Sequence, residues 1–243
     1  MTISSSKKTE DNERSGGSTL KLDDVKLNSL FVRVKDEYLE RYNIKQYICS
    51  TSNADILRQS LLDCEESIFE TTRNSADRGN RGYPTDTITG YASYYNLVRD
   101  VEAWNVTGFP LIKAVVGDYL SLKSDERVGI SCWGNILRMD RKIFPHLHFG
   151  VPDGWEETKQ SVSANIFLGS EVSTATTYIL DGEQVDIPNV YGQFTLFPPN
   201  LPHAVRAYKG SGVRVSAAFD IFCPDRDKNG KVDGGEWLQW RQP

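Results

Sequence analysis

After Lys123-Ser124-Asp125-Glu126 the sequence becomes a series of short apolar and β-branched runs broken by turn residues, and no other feature restricts the fold so strongly. The candidate strands are Val128 to Leu137, Ser161 to Leu168, Thr176 to Leu180, Phe194 to Phe197, Ala204 to Tyr208 and Val213 to Phe222. Strands this short and this frequent close into a sandwich or barrel, because each needs a second layer to cover its apolar face. Two helices precede them. Ser52-Asn53-Ala54-Asp55 has the form of a helix start, and Leu57, Leu61, Cys64 and Ile68 then share one helical face. Pro110 opens a second helix, with Ile112, Val115, Val116, Tyr119 and Leu120 at helical spacing. The expected class is α+β, with the helices buttressing the outside of a β core. No internal repeat is present.

The rest of the chain adds less to that core. Residues 1–19 are rich in Ser, Lys, Glu, Asp and Gly, lack the apolar side chains that would offset the entropy of ordering, and are expected to form a disordered tail. Between Leu27 and Cys49 the aromatic and β-branched residues predict an early strand and a connecting segment. Thr72 to Thr89 is rich in Gly, Asn, Asp and Arg and reads as a long loop, either the edge of a site or a plain connector. With 243 residues, 39% of them apolar, the chain can bury one substantial core. One main domain over residues 20–222 is expected, with its β core at 128–222 and a small appendage at 223–243.

A formal net charge of -5 and a pI near 5.3 speak against nucleic acid as a partner, since phosphate binding relies on clustered Lys and Arg. No apolar run reaches the 18 or so residues of a membrane span, and the N-terminus lacks the apolar core of a secretory signal. The expectation is a cytoplasmic protein with no membrane partner. Cys49, Cys64, Cys132 and Cys223 are scattered without a C-x-x-C pair, which suits free thiols.

The chain contains three histidines, and their spacing is its most informative chemical feature. His146 and His148 form an H-x-H pair, which in an extended strand puts both imidazoles on one face, able to share a metal ion. His203 follows 55 residues later, inside LFPPNLPHAV. A lone His is more often a satisfied core or surface residue than a ligand; three in this pattern favour a metal site. Arg214 comes 11 residues after His203, with Ser216 two positions on, so one strand face offers a guanidinium and a hydroxyl to the same carboxylate.

In this order the segments SCWGNILR, FPHLH, LFPPNLPHAV and GVRVSAAFDIF resemble the Fe(II)/2-oxoglutarate-dependent oxygenases, especially a bacterial and phage subgroup with an H-x-H motif. The likeness runs from Val128 to Phe222, about 40% of the chain. It implies a double-stranded β-helix, of jelly-roll or cupin-like form, with Fe(II) and 2-oxoglutarate as cofactors and a small molecule or amino-acid-like compound as the substrate to be hydroxylated. By the same resemblance His146 and His203 are metal ligands, Arg214 with Ser216 holds the distal carboxylate of 2-oxoglutarate, and Asn135 touches the same molecule. The departure is His148, which stands where the family usually has Asp or Glu. Either His148 itself completes the iron site or a nearby carboxylate such as Asp153 does so.

Other readings share part of this pattern. Gly192 to Pro198 followed by Pro202-His203 resembles the second cupin motif, which would make the protein a three-histidine dioxygenase, although the Glu usual after the cupin H-x-H is missing. His148-Phe149-Gly150 has the H-x-G form of the iron halogenases, which would leave His146 without a role. A non-catalytic metal-binding β-helix module is the remaining alternative.

A separate motif lies near the C-terminus. Asp225, Asp227, Asn229, Gly230, Lys231, Asp233 and Glu236 follow the spacing of a calcium-binding EF-hand loop, with Lys231 contributing its backbone carbonyl. No entering helix precedes it, and Trp237 to Arg241 is expected to form a short exiting helix. Any calcium held there would serve as a staple.

Overall fold

Alternation along one central strand explains the layering of the protein. In the computed structural model, Arg214–Phe222 is a nine-residue strand, β10, numbered like the others in chain order. Its odd residues Val215, Ala217, Phe219 and Ile221 join the largest apolar cluster, and its even residues Arg214, Ser216 and Asp220 are buried on the opposite face. A strand buried on both faces must lie between two layers. The structure describes residues 30–72, 87–91, 95–123, 127–148, 162–223 and 238–241, with the backbone alone at 90, 91, 127 and 238–241.

Those residues form two antiparallel sheets. The larger has the order β1 (Phe31–Val34), β2 (Lys45–Cys49), β8 (Gln193–Phe197), β5 (Val162–Phe167), β10, β3 (Arg127–Leu137) and β11 (Leu238–Arg241). The smaller has the order β4 (Ile143–His146), β9 (His203–Val205), β6 (Ala175–Leu180) and β7 (Glu183–Pro188). Helices cover one face of the large sheet. Helix α2 (Thr51–Thr72) contributes Leu57, Leu61 and Ile68, and α4 (Phe109–Leu120) contributes Leu111, Ile112, Val115 and Val116. A fully buried aliphatic side chain of this kind stabilises the fold by about 1.5–3 kcal/mol. The short helices α1 (Glu37–Glu40) and α3 (Leu97–Asp100), a 3-10 turn at Ile88–Tyr91 and a π-helical turn at Trp104–Gly108 complete the helical set among the described residues.

Two smaller apolar clusters join the small sheet to the rest. Tyr178, Leu180 and Ile187 pack with Phe197 of β8 and with Leu39 of α1, while Ile143 and Val205 pack with Leu137 of β3 and with Tyr208. The inner face of the large sheet otherwise mixes polar side chains with Phe167 and Trp133. Register places Asn135 beside Ser216, which lies beside Phe167, and places Asn165 beside Thr195. A polar surface of this size inside a protein is costly unless its groups find partners or a ligand.

The expected α+β class holds, and five of the six expected strands match observed ones to within a residue at either end. The sixth, expected at Ala204 to Tyr208, is the shorter β9, which begins at His203. The order of elements is less simple than helices followed by strands, because β1 and β2 precede the long helices α2 and α4 and join the large sheet through the β2–β8 pairing. Helix α2 begins one turn fraction earlier than Ser52: the Ser50 hydroxyl accepts from the Asn53 N–H at 3.3 Å, and the Ser50 carbonyl accepts from the Ala54 N–H. Ser50 is thus the capping residue, as an oxygen three residues before the accepted N–H requires. The expected exiting helix is also corrected. Leu238–Arg241 is a strand paired with Arg127 to Ile130 of β3, because the free edge of β3 offers hydrogen bonds that four residues cannot make as a helix. The tail 1–19, residues 73–86 of the expected loop, Phe149, Gly150, Asp153 and the acidic loop Asp225 to Glu236 lie outside the described residues. All four cysteines are free, as expected. Among the described residues no helix is long and apolar enough to cross a membrane.

Candidate metal centre

The edge of the small sheet gathers the three histidines. His146 ends β4 and pairs in register with His203, the first residue of β9, while Tyr178 of β6 pairs with His203 from the other side. His148 lies just beyond β4, so the H-x-H pair straddles the strand end instead of sitting within the strand. The His148 N–H donates to the Pro199 carbonyl at 2.9 Å, which ties this turn to the segment before β9. One nitrogen from each ring lies within 4.8 Å of the other two.

Hydrogen bonds fix which nitrogens those are. His146 Nδ1 is 2.8 Å from the Phe144 carbonyl, and His203 Nδ1 is 3.0 Å from the Leu201 carbonyl. His148 Nδ1 lies 2.9 Å from Asp220 Oδ1 and 3.1 Å from Oδ2. A group that only accepts requires a donor, so each Nδ1 carries the ring proton and each Nε2 keeps its lone pair. His148 Nε2 and His203 Nε2 then face each other at 3.1 Å with rings only 13° from parallel. Two lone pairs at that distance repel unless a cation lies between them. Two nitrogens bound about 2.1 Å from one metal at right angles are about 3.0 Å apart, so the pair has the spacing of adjacent ligands. The donor set therefore fits a divalent transition metal.

Aromatic walls surround two of the rings. Trp133 stacks on His148 at 5.6 Å, and Phe197 meets His203 edge-on at 4.6 Å, with Tyr178 beyond it at 5.8 Å. His146 is only half-buried and flanks the open side, next to the exposed Phe144 and Leu147. Burial first, and then the neighbouring His148, hold the His146 and His203 imidazoles below the ordinary histidine pKa, with the larger effect at His203. Both causes oppose a proton on the ring and leave the lone pair available to a metal.

The other end of the polar face holds Arg214, which is only 2% exposed. Its Nη1 donates to the Ser216 hydroxyl at 2.9 Å, its guanidinium lies 5.3 Å over the Phe167 ring, and its Nε has no partner. Among the described residues no carboxylate forms an ion pair with it, and burial pushes its pKa down to about 10. A buried cation with only neutral neighbours is the form expected of an anion receptor. The Tyr178 hydroxyl is likewise buried, facing Asn165 and Arg214. Asn135 lies across from Ser216 with its Oδ1 accepting from the Thr89 hydroxyl at 2.8 Å, which leaves its amide N–H groups as donors. Thr89 closes the long loop expected from the sequence, so the end of that loop touches this polar face.

The structure therefore brings His146, His148 and His203 together and places Arg214, Ser216 and Asn135 on one neighbouring face. Asp220 and Tyr178 were not singled out in the sequence. A lone acid inside the apolar run AAFDIF was the available signal for Asp220, since an ionised side chain in a buried strand needs a partner.

Neither protein-family models nor curated proteins match this sequence. Solved structures do share its fold. The non-heme monooxygenase ThoJ, in complex with nickel, superposes with a TM-score of 0.52 at 14% identity, covering 80% of this chain and 78% of ThoJ. HygX from Streptomyces hygroscopicus, solved with nickel and 2-oxoglutarate bound, gives 0.52 at 13% identity over 79% of this chain and 88% of its own. SnoK, a non-heme alpha-ketoglutarate-dependent carbocyclase from nogalamycin biosynthesis, gives 0.53 at 12% identity over 84% and 93%. The chain thus has the fold of the 2-oxoglutarate and Fe(II) oxygenases.

Proposed function

We propose that the protein is a non-haem iron oxygenase that couples oxidative decarboxylation of 2-oxoglutarate to hydroxylation of a small-molecule or amino-acid-like substrate, and that its two sheets are the halves of a double-stranded β-helix. The observation that carries this reading is the pairing, on one interior, of three converging Nε2 lone pairs with a buried guanidinium that lacks an anion. The first suits a metal ion and the second a carboxylate, and 2-oxoglutarate is a molecule that can meet both.

His146, His148 and His203 would hold the iron. Arg214 and Ser216 would bind the distal carboxylate, with Asn135 and the Tyr178 hydroxyl as further donors along the same molecule. Iron supplies the activation of oxygen when bound. In the overall reaction so supported, one oxygen atom would end in succinate, with release of CO2 from 2-oxoglutarate, and the other in a former C–H bond of the substrate. The protein's own share is orientation and exclusion of water, and Trp133, Phe197 and Tyr178 around the histidines serve the second. The half-buried His146 edge, with Phe144 and Leu147, is the side left open to substrate.

The presence of His146 within the cluster supports three histidine ligands over an H-x-G halogenase site, and a cupin-type dioxygenase has no use for Arg214. Metal content and succinate release test all of these together. Wild type should form succinate only with Fe(II), oxygen and 2-oxoglutarate, without chloride, and Ala at any of the three histidines should remove most of the metal. Metal retained by His146→Ala with a chloride-dependent spectrum would assign a halogenase. Full metal loading with no use of 2-oxoglutarate would assign a cupin-type enzyme or a non-catalytic module.

A further inference from the structure

Asp220 is a second buried ionisable group, at the other end of the same face from Arg214, and among the described residues no Lys or Arg forms an ion pair with it. Its carboxylate is 9% exposed, Ser163 Oγ donates to Oδ1 at 2.6 Å, and its ion-pair partner among the described residues is the His148 ring. His148 meets it through Nδ1, 2.9 Å from Oδ1. A carboxylate in such surroundings is costly by itself. The cost is offset when a divalent cation sits on His148 Nε2, because the imidazole then passes part of the positive charge to Nδ1–H, where Asp220 accepts it. Non-haem iron oxygenases commonly hold their metal with two histidines and one carboxylate, so three imidazole ligands leave the site one negative charge short of that arrangement.

We infer that Asp220 is a positioning residue that acts through His148, locking the ring with Nε2 toward the metal and supplying from one residue further out the negative charge that an acidic ligand would give. Ser163 holds the carboxylate in that orientation, and Trp133 stacks on the far side of the ring, so the acid and the imidazole keep a fixed relation. The inference rests on the metal-site reading above. Without it, a buried acid on a buried histidine is merely a structural pair.

Asp220→Asn separates charge from position, since the Asn oxygen still accepts from Nδ1–H and the side chain keeps its size. Nickel affinity, read by calorimetric titration of the metal-free protein, should fall by about 10- to 100-fold, as for other groups that hold a metal-binding histidine from behind. The melting temperature of the metal-free variant should equal or exceed that of wild type, because an uncompensated buried anion has been removed. In a His148→Asp background the sign should reverse: two carboxylates would then face one another, and adding Asp220→Asn should tighten nickel binding. Nickel affinity within twofold of wild type in Asp220→Asn would overturn the inference, as would a metal-free protein destabilised along with its metal affinity. Wild type that binds nickel without using the histidines would instead overturn the metal-site reading itself, so the two failures are distinct.

Discussion

Replacing Arg214 with Met should make the metal-free protein more stable and at the same time remove its affinity for 2-oxoglutarate. The guanidinium is fully buried, its Nε is without a partner, and its Nη1 donates to a neutral hydroxyl. Burial lowers its pKa from 12.5 to about 10. At about 1.36 kcal/mol per tenfold change in proton affinity, that lowering corresponds to a cost on the order of 3 kcal/mol for keeping the cation folded at neutral pH. The sign follows from linkage: both folded and unfolded chains carry the charge at pH 7, and the folded one bears the cost. Met has similar length and no charge, and it can lie on Phe167 as the guanidinium does. The gain is therefore at most about 3 kcal/mol, which for a chain of this size raises the melting temperature by at most roughly 6 to 12 °C. The loss of a buried partner for a carboxylate costs about 3 to 5 kcal/mol, or more than about a hundredfold in the Kd of 2-oxoglutarate. Thermal unfolding with chelator measures the first effect, and anaerobic calorimetric titration of the nickel-loaded protein measures the second. A variant that melts lower than wild type and binds 2-oxoglutarate equally well would refute the reasoning on both counts.

Three further outcomes are expected. Gly134→Ala should destabilise the fold by about 1–3 kcal/mol without touching the histidines, because its Cβ would lie 2.5 Å from Leu61 Cδ1 and 2.8 Å from Ile88 Cδ1, both fully buried; the denaturant midpoint should fall while nickel affinity is kept. Metal-free protein should lose stability as pH falls below the ordinary histidine value of 6.5, since folding holds His146 and His203 below it and the unfolded chain takes protons that the folded one refuses. The denaturant midpoint at pH 5.5 should accordingly lie below that at pH 7.5, with the difference reduced in a His146→Gln, His203→Gln double variant. The spacing Asp225 to Glu236 predicts that calcium raises the melting temperature and that Glu236→Gln abolishes the rise, and identical curves with calcium and chelator would reduce that stretch to an acidic turn.

The strands that were legible are those buried on both faces or alternating cleanly, such as β10 and β3, where β-branched and aromatic residues dominate. β7 was not, because only Ile187 of its six residues is buried, yet its hairpin was written in Asp181-Gly182, both at positive φ (51° and 83°) as a tight two-residue turn requires. β11 was misread as a helix because its pairing partner lies more than 100 residues earlier in the chain. Spacing brought out the three histidines and the Arg214 and Ser216 pair, since those share a strand face or a register. Tyr178 and Asp220 were missed for one physical reason: a Tyr in a β run reads as packing, and one acid reads as surface, until the opposing sheet is in place. The cradle of three Nδ1 acceptors was likewise invisible, because two of them are backbone carbonyls, which no sequence pattern marks.

The most direct measurement of the central claim is a crystal structure of the protein with nickel and 2-oxoglutarate, using the anomalous signal to place the metal. The metal should lie on Nε2 of His146, His148 and His203, with Asp220 still on His148 Nδ1, the 2-oxoacid end of the co-substrate on the metal and its distal carboxylate on Arg214 and Ser216. Metal bound away from these three nitrogens, or 2-oxoglutarate lying with no carboxylate on Arg214, would contradict it.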